Sequence, residues 1–138
     1  MKRIGIWASL ALTFGALTLP AYSAPCSIAT LKGVYGYNDT QHDAGVNYYI
    51  VGLLRFDGTG KGTTSWTLRG DDGTIGSDPV GSPISYTVAP DCTFTFTHET
   101  GLTFSGVIVD TAKELRYVET TGWQFRMGSA VKVSSQNR

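Results

Sequence analysis

A strict alternation of apolar and hydroxyl side chains runs through Cys92-Thr93-Phe94-Thr95-Phe96-Thr97-His98. Successive side chains of an extended strand point to opposite faces, so the phenylalanines share one face and the threonines share the other. Aromatic residues on a buried face and threonines on a solvated face are typical of an antiparallel sheet. This segment therefore predicts a β-strand with one side in the core.

Similar short runs recur along the chain, separated by glycine, aspartate and proline. We predict a helical turn over 27–31 and eight strands, at residues 32–38, 47–56, 62–69, 83–89, 92–98, 101–109, 114–120 and 123–133. Consecutive strands joined by hairpins predict one all-β domain, an antiparallel eight-stranded up-and-down barrel, because closure leaves no exposed edge. A β-sandwich is the alternative, for which the predicted loop at 70–82 could supply a crossover.

The N-terminus has the organisation of a secretory signal. The basic start Met1-Lys2-Arg3 precedes an uncharged, mostly apolar run over 4–19, and small residues follow Pro20. The run is roughly 16 residues long, short of the roughly 20 that a membrane-spanning helix needs. We predict a signal peptide over 1–23, a single domain over 24–138, and a periplasmic or extracellular location with no stable membrane insertion after cleavage.

The chain contains two cysteines, Cys26 and Cys92. An exported protein with an even number of cysteines usually pairs them, so we predict a structural disulfide. A redox or metal-binding pair is the alternative, but there is no C-x-x-C motif and no histidine beside either cysteine.

Charge and motifs exclude several classes of function. The chain has 11 basic and 11 acidic residues, and the basic residues are scattered, which predicts no nucleic-acid partner. His42 and His98 are each followed by an acidic residue, but neighbouring strand residues point to opposite faces and do not form a dyad. No metal-binding or phosphate-binding motif is present. We predict no catalytic residue, no metal site and no cofactor.

The aromatic residues of the strands are the positive feature. The candidate ligand-binding residues on the predicted inner face are Trp66, Tyr86, Phe94, Phe96, Phe104, Trp123 and Phe125. They could simply fill the core, or they could line a cavity, since an eight-stranded barrel is just wide enough for a packed interior or one small ligand. Strand glycines at Gly36, Gly52 and Gly106 could make the room.

The segment Leu31-Lys32-Gly33-Val34-Tyr35 resembles the opening of the lipocalin (calycin) barrels. In that family a short helical turn leads to G-x-W on the first strand, and a basic residue of the last strand covers the aromatic ring. The resemblance implies a barrel-closing motif of Gly33, Tyr35 and a basic partner, either Arg126 or Lys132. Tyrosine here replaces the family's tryptophan.

A second resemblance extends over nearly the whole exported part. The spacings Cys26-x-x-x-x-Leu31-x-Gly33-x-Tyr35, Phe56-Asp57-Gly58-x-Gly60 and Asp91-Cys92-Thr93 look like a family of small exported bacterial proteins. That resemblance implies a disulfide-tethered β-barrel and no activity. Allene oxide cyclase-like barrels are similar in outline, but none of their catalytic residues has a match in this sequence.

Three classes of function follow. The first is a secreted or periplasmic barrel that binds a small apolar or aromatic ligand in its interior. The second is a protein-interaction or envelope module that acts through the predicted loops 39–46 and 70–82, with Tyr48 and Tyr49 facing outward. The third is a barrel isomerase or cyclase, which requires an ionisable group such as His98, Glu119 or Arg116 inside the barrel.

Overall fold

The computed structural model describes residues 25–122 and 124–133 of the 138-residue chain. A 3₁₀ turn at Ile28–Thr30 precedes eight strands: β1 (Lys32–Asp43), β2 (Val46–Asp57), β3 (Lys61–Gly70), β4 (Ile75–Val88), β5 (Thr93–His98), β6 (Thr103–Val109), β7 (Glu114–Glu119) and β8 (Phe125–Lys132). Each strand pairs antiparallel with the next, and β8 pairs with β1 to close a barrel. The eight-stranded up-and-down barrel is confirmed, and the sandwich alternative is wrong. The predicted signal peptide lies outside the described residues.

Alternation along the strands places an aromatic core inside the barrel. On β5, Phe94 and Phe96 are buried, while Thr97 contacts Thr103 of β6 on the other face, with 3.1 Å between their hydroxyl oxygens. The Tyr117 ring packs edge-on against Phe96, with 5.4 Å between centroids. The buried apolar cluster contains Leu31, Tyr35, Tyr37, Ile50, Leu54, Phe56, Ile84, Tyr86, Phe94, Phe96, Phe104, Leu115, Tyr117 and Ala130. Burial of each large side chain contributes about 2 kcal/mol before entropy is counted.

The predicted loops at 39–46 and 70–82 are wrong, because most of their residues continue strands. Strands β1 and β2 are joined by Ala44 and Gly45 alone, whose φ angles of 48° and 87° are the positive values that a tight hairpin turn requires. Strand β4 begins at Ile75 and carries a bulge opposite β3. Asp78 holds the bulge, because its carboxylate accepts hydrogen bonds from the Gly81 N–H (3.1 Å) and the Ser82 hydroxyl (2.6 Å).

The 3₁₀ turn and the β2–β3, β4–β5 and β6–β7 connections lie at one end of the barrel, which we call the closed end. Leu31 and Tyr35 are completely buried there. The Tyr86 hydroxyl donates to the carbonyl oxygen of Leu31 (2.8 Å), and the Tyr35 hydroxyl donates to that of Ala112 (2.8 Å). These bonds connect the start of the barrel, from Leu31 to Tyr35, with strand β4 and with the β6–β7 connection.

The predicted disulfide between Cys26 and Cys92 is present, with 66 residues of sequence separation. It ties the start of the described chain to the β4–β5 connection at the closed end. The backbone N–H of Cys26 also donates to the carbonyl oxygen of Pro90 (3.2 Å). The covalent and hydrogen bonds together hold the 3₁₀ turn over this end of the barrel.

The barrel-closing arrangement involves Lys132 and not Arg126. The Lys132 ammonium lies 5.7 Å from the centre of the Tyr35 ring, and the Lys132 stem crosses Gly33, where an added Cβ would approach Cε to 3.1 Å. Arg126 lies at the opposite end of β8, with its guanidinium 5.1 Å from the centre of the Phe104 ring. The assignment of Arg126 as the partner of Tyr35 is therefore wrong, because the β1–β8 register places Lys132 directly opposite Tyr35.

Candidate ligand-binding site

The end of the barrel that carries the β1–β2, β3–β4, β5–β6 and β7–β8 connections, which we call the mouth, contains a cavity of about 200 Å³. Its walls come from Tyr37, Asp39, Gln41, Ile50, Leu54, Thr64, Trp66, Leu68, Phe96, His98, Thr100, Leu102, Phe104 and Arg126. Pockets for drug-sized ligands occupy about 300–1,000 Å³, whereas an engineered cavity of about 150 Å³ in another protein binds benzene. The volume therefore suits one small ring with a short substituent.

Most of the cavity wall is apolar. Phe96 and Phe104 stack with 4.7 Å between centroids and 9° between ring planes. Ile50 and Leu54 of β2 are buried beside them, and Trp66 of β3 is half-buried. An apolar ligand would find aromatic and aliphatic side chains around it.

An ion pair with a tyrosine partner forms the polar base of the cavity. Asp39 is only 4% exposed, and its Oδ2 accepts from Arg126 through Nη2 (2.7 Å) and Nε (2.9 Å). The Tyr117 hydroxyl donates to Asp39 Oδ1 (2.7 Å). Burial raises the pKa of Asp39, and the Arg126 charge and the Tyr117 hydrogen bond oppose that rise. Burial and the neighbouring Asp39 charge raise the pKa of Tyr117, which keeps its hydroxyl protonated as a donor.

Tyr37 and His98 contribute further polar atoms. The Tyr37 oxygen accepts from the Thr64 hydroxyl at 3.4 Å, and burial is the main cause that raises the pKa of Tyr37. At the mouth, the backbone N–H of Thr100 donates to Nδ1 of His98 (3.2 Å). Both side chains line the cavity.

Three inward-facing glycines leave room for larger side chains on the neighbouring strands. Gly52 is paired with Tyr37 and Trp66, Gly106 with Phe94 and Tyr117, and Gly128 with Tyr117 and Asp39. An added Cβ would approach the Tyr37 ring to 2.7 Å at Gly52 and the Phe94 ring to 2.9 Å at Gly106, and would overlap the Asp39 carboxylate at Gly128. At Gly36 it would meet only Val133, at 3.8 Å, so Gly36 makes no such room.

The predicted ligand-binding residues fall into four groups. Trp66, Phe96 and Phe104 line the cavity. Tyr86 and Phe94 are buried in the core without lining it. Phe125 is 61% exposed, so its predicted inner position is wrong; the register of β8 turns Arg126, Gly128 and Ala130 inward instead. Trp123 lies outside the described residues, and the ligand-binding role of the lining residues stays a prediction.

The polar base of the cavity is not predicted from the sequence. The alternation of Tyr35, Tyr37, Asp39 and Gln41 would have found it, because these residues share one face of β1. The polar run from Asp39 to Val46 is predicted as a loop instead, since aspartate, asparagine and glycine are common in turns. Nothing in the sequence separates a buried aspartate of this kind from an exposed one until its strand is known.

The other candidate positions have different surroundings. Tyr49 is 60% exposed and Tyr48 is half-buried, so only Tyr49 faces outward fully. Arg116 is exposed and pairs with Glu114 at 2.8 Å, so its proposed place inside the barrel is wrong. Glu119 is half-buried, and its carboxylate oxygens have no hydrogen-bond partner among the described residues. Burial raises the pKa of Glu119.

Within the described part of the chain, no group of three or more histidine, cysteine, aspartate or glutamate side chains is arranged to hold a metal ion. No helix among residues 25–122 and 124–133 is long and apolar enough to cross a membrane.

No protein-family model matches the chain, and no curated protein matches it. Among solved structures, the chain is similar to a barrel described as the "De novo design of a fluorescence-activating beta barrel", with 13% sequence identity and a TM-score of 0.46. The match covers 75% of this chain and 94% of the designed chain.

Proposed function

We propose that this protein is an exported, lipocalin-like barrel that binds one small, mostly apolar ring compound in the cavity at its mouth. The observation that carries the proposal is the cavity itself, about 200 Å³ bounded by stacked aromatic rings and a buried ion pair. The aromatic residues of the closed end, by contrast, pack edge to face against one another, as Phe56 does against Tyr35 and Tyr86.

The unfilled volume supports a role for the cavity. Protein interiors are close-packed and contain few voids larger than a water molecule, whereas this cavity has a volume of about 200 Å³. Larger side chains at Leu68 or Leu102 would fill the space if packing were its only purpose.

Two features support export and the lipocalin-like class. A disulfide between Cys26 and Cys92 persists in oxidising compartments and is rare in the cytosol. The 3₁₀ turn, Gly33, Tyr35 and Lys132 occupy the relative positions that the lipocalin opening and its basic partner imply.

A blocked cavity tests the proposal. Cumene (isopropylbenzene) is a suitable probe, and its binding would be read from the rise in melting temperature and from native mass spectrometry. We expect cumene to stabilise the protein in a concentration-dependent way. Leu68→Trp would fill the cavity and abolish the effect, whereas Thr67→Trp, on the outer face of the same strand, would leave it intact.

Failure of the unsubstituted protein to bind cumene, other small aromatic compounds or short lipids would contradict the proposal. Equal binding by the Leu68→Trp and Thr67→Trp variants would also contradict it, because the ligand would then lie outside the cavity.

A second candidate function is an isomerase or cyclase, and Glu119 is the observation that favours it. An inward carboxyl group with a raised pKa and no hydrogen-bond partner among the described residues is a candidate proton acceptor. The test is exchange of the methyl protons of an aromatic ketone in D₂O, followed by NMR. An enzyme would accelerate the exchange and Glu119→Gln would abolish the acceleration, whereas a binding protein would leave the exchange at its uncatalysed rate.

A further inference from the structure

The hydroxyl of Tyr37 has a proton but no acceptor for it among the described residues. Its oxygen accepts from the Thr64 hydroxyl, and it lies close enough to the Arg126 guanidinium for that group to lower its pKa. Thr64 and Arg126 both present hydrogen-bond donors to the Tyr37 oxygen. The Tyr37 O–H therefore points toward the cavity that this side chain lines.

Arg126 has donors in excess of its partner. Its Nε and Nη2 both bond to Oδ2 of Asp39, and the guanidinium also acts on the Tyr37 hydroxyl, whose pKa it lowers. The guanidinium carries five N–H donors and no acceptor. Because Arg126 also lines the cavity, its remaining N–H groups are available to a ligand there.

His98 adds a third polar group at the mouth. Its Nδ1 contacts the backbone N–H (3.2 Å) and the hydroxyl oxygen (2.9 Å) of Thr100, which leaves Nε2 for a ligand. The polar groups that could contact a bound molecule are therefore the hydroxyl of Tyr37, the guanidinium of Arg126 and Nε2 of His98.

The charges around the cavity do not favour an anionic ligand. The positive charge of Arg126 is already paired with Asp39 at 2.7 Å. Glu119 also faces inward and interacts with Arg126 over a longer range. An additional carboxylate in the cavity would lie beside Asp39 and a cation that Asp39 already neutralises, at a position where desolvation strengthens repulsion.

We propose that the ligand is a small, neutral ring compound with a carbonyl oxygen, which accepts hydrogen bonds from Tyr37 and Arg126 while the ring packs among the apolar side chains of the cavity wall. The inference rests on the proposed function and adds the chemical class. A neutral acceptor uses the free donors without adding charge, and an apolar molecule of the same shape would leave the Tyr37 hydroxyl unpaired.

Three probes of matched size separate the contributions: acetophenone carries the carbonyl, cumene has the same shape without an acceptor, and benzoate carries a charge. Isothermal titration of the protein expressed with its signal sequence and purified from an oxidising compartment gives the three affinities. We expect acetophenone to bind about tenfold more tightly than cumene, and benzoate to bind more weakly than either.

The Tyr37→Phe variant isolates the hydrogen bond. We expect it to lower the affinity for acetophenone about tenfold and to leave the affinity for cumene unchanged, which also shows that the cavity is intact. Tyr49→Phe, which removes a hydroxyl from the outer face, should change neither affinity.

The outcomes are distinguishable. Equal affinities for acetophenone and cumene in the unsubstituted protein would overturn this inference and leave the proposed function standing. Tighter binding of benzoate would overturn the neutral-ligand class. Binding of none of the three probes would overturn the proposed function, and this inference with it.

Discussion

The Tyr117 hydroxyl donates to the Asp39 carboxylate at 2.7 Å, although the two residues lie on strands that are not neighbours. Strand β8 runs between β7 and β1, and its residue at the crossing point is Gly128, which is paired with both Tyr117 and Asp39. The hydrogen bond passes over the position where any other residue would carry a side chain. The polar base of the cavity therefore depends on a glycine that contributes no side chain to it.

Gly128→Ala is expected to destabilise the protein by about 3 kcal/mol, because its Cβ would displace a buried carboxylate from its partners. The matched control is Gly36→Ala on β1, where the added Cβ has only an ordinary van der Waals neighbour. Urea unfolding of the two variants measures the difference. Similar losses of stability in both variants would show that the cost comes from adding a side chain to a strand glycine and not from displacing the Asp39 carboxylate.

Glu119→Gln is expected to stabilise the protein by about 1 kcal/mol at neutral pH, because a buried amide costs less than a buried carboxylate without partners. The pKa of Glu119 is raised in the folded state, so the folded protein binds a proton where the unfolded chain releases it. The free energy of unfolding of the unsubstituted protein should then fall as pH rises from the ordinary glutamate pKa to the raised one.

The stabilities of the Glu119→Gln variant and the unsubstituted protein should converge below the ordinary glutamate pKa, where both side chains are uncharged. Glu99→Gln, at an exposed position in the β5–β6 connection, is the control and should show no such difference. A stabilisation by Glu119→Gln that is independent of pH would contradict the explanation.

Reduction of the Cys26–Cys92 disulfide, or its replacement by the Cys26→Ala and Cys92→Ala pair, is expected to remove up to about 4 kcal/mol of stability. The measurement is denaturant unfolding with and without a thiol reductant. Because the disulfide lies at the closed end, binding of a ligand at the mouth should persist in the reduced protein while it remains folded. Loss of binding without unfolding would show that the two ends are coupled.

Tyr35→Phe is expected to cost about 1–2 kcal/mol, because it leaves the carbonyl oxygen of Ala112 without its buried hydroxyl donor. Loss of this hydrogen bond should also weaken the β6–β7 connection. Asp110, Thr111 and Ala112 all have positive φ angles there, which are unfavourable for residues other than glycine, and the bond to Ala112 holds them in place. Tyr49→Phe on the outer face serves as the control and should be neutral in the same thermal unfolding assay.

The sequence predicted the fold because period-two alternation survives wherever one face of a strand is packed and the other is solvated. The segment over 92–98 shows this alternation, and the predicted helical turn and disulfide are also present. The alternation was misleading on β8. There Phe125 and Met127 face outward at 61% and 45% exposure, while Arg126 and Gly128 face the interior.

The cavity could be predicted only in part. Trp66, Phe96 and Phe104 were identifiable as inward-facing aromatic residues, but the base of the cavity requires contacts between strands far apart in sequence. Asp39 and Arg126 are 87 residues apart, and neither has a local signal of burial. A buried ion pair costs desolvation that only its precise geometry offsets, so the pair becomes recognisable once the register of β1 and β8 is known.

The central claim is that a small ring compound occupies the mouth of the barrel, and methyl NMR during a titration with cumene or acetophenone tests it most directly. The methyl groups of Ile50, Leu54, Leu68 and Leu102 line the cavity, whereas those of Leu31 and Leu115 are buried elsewhere in the core. We predict that the signals of the first group shift with ligand concentration while those of Leu31 and Leu115 remain in place. Unchanged signals for all four cavity residues, or shifts confined to outward-facing residues such as Val51 and Val80, would contradict the account.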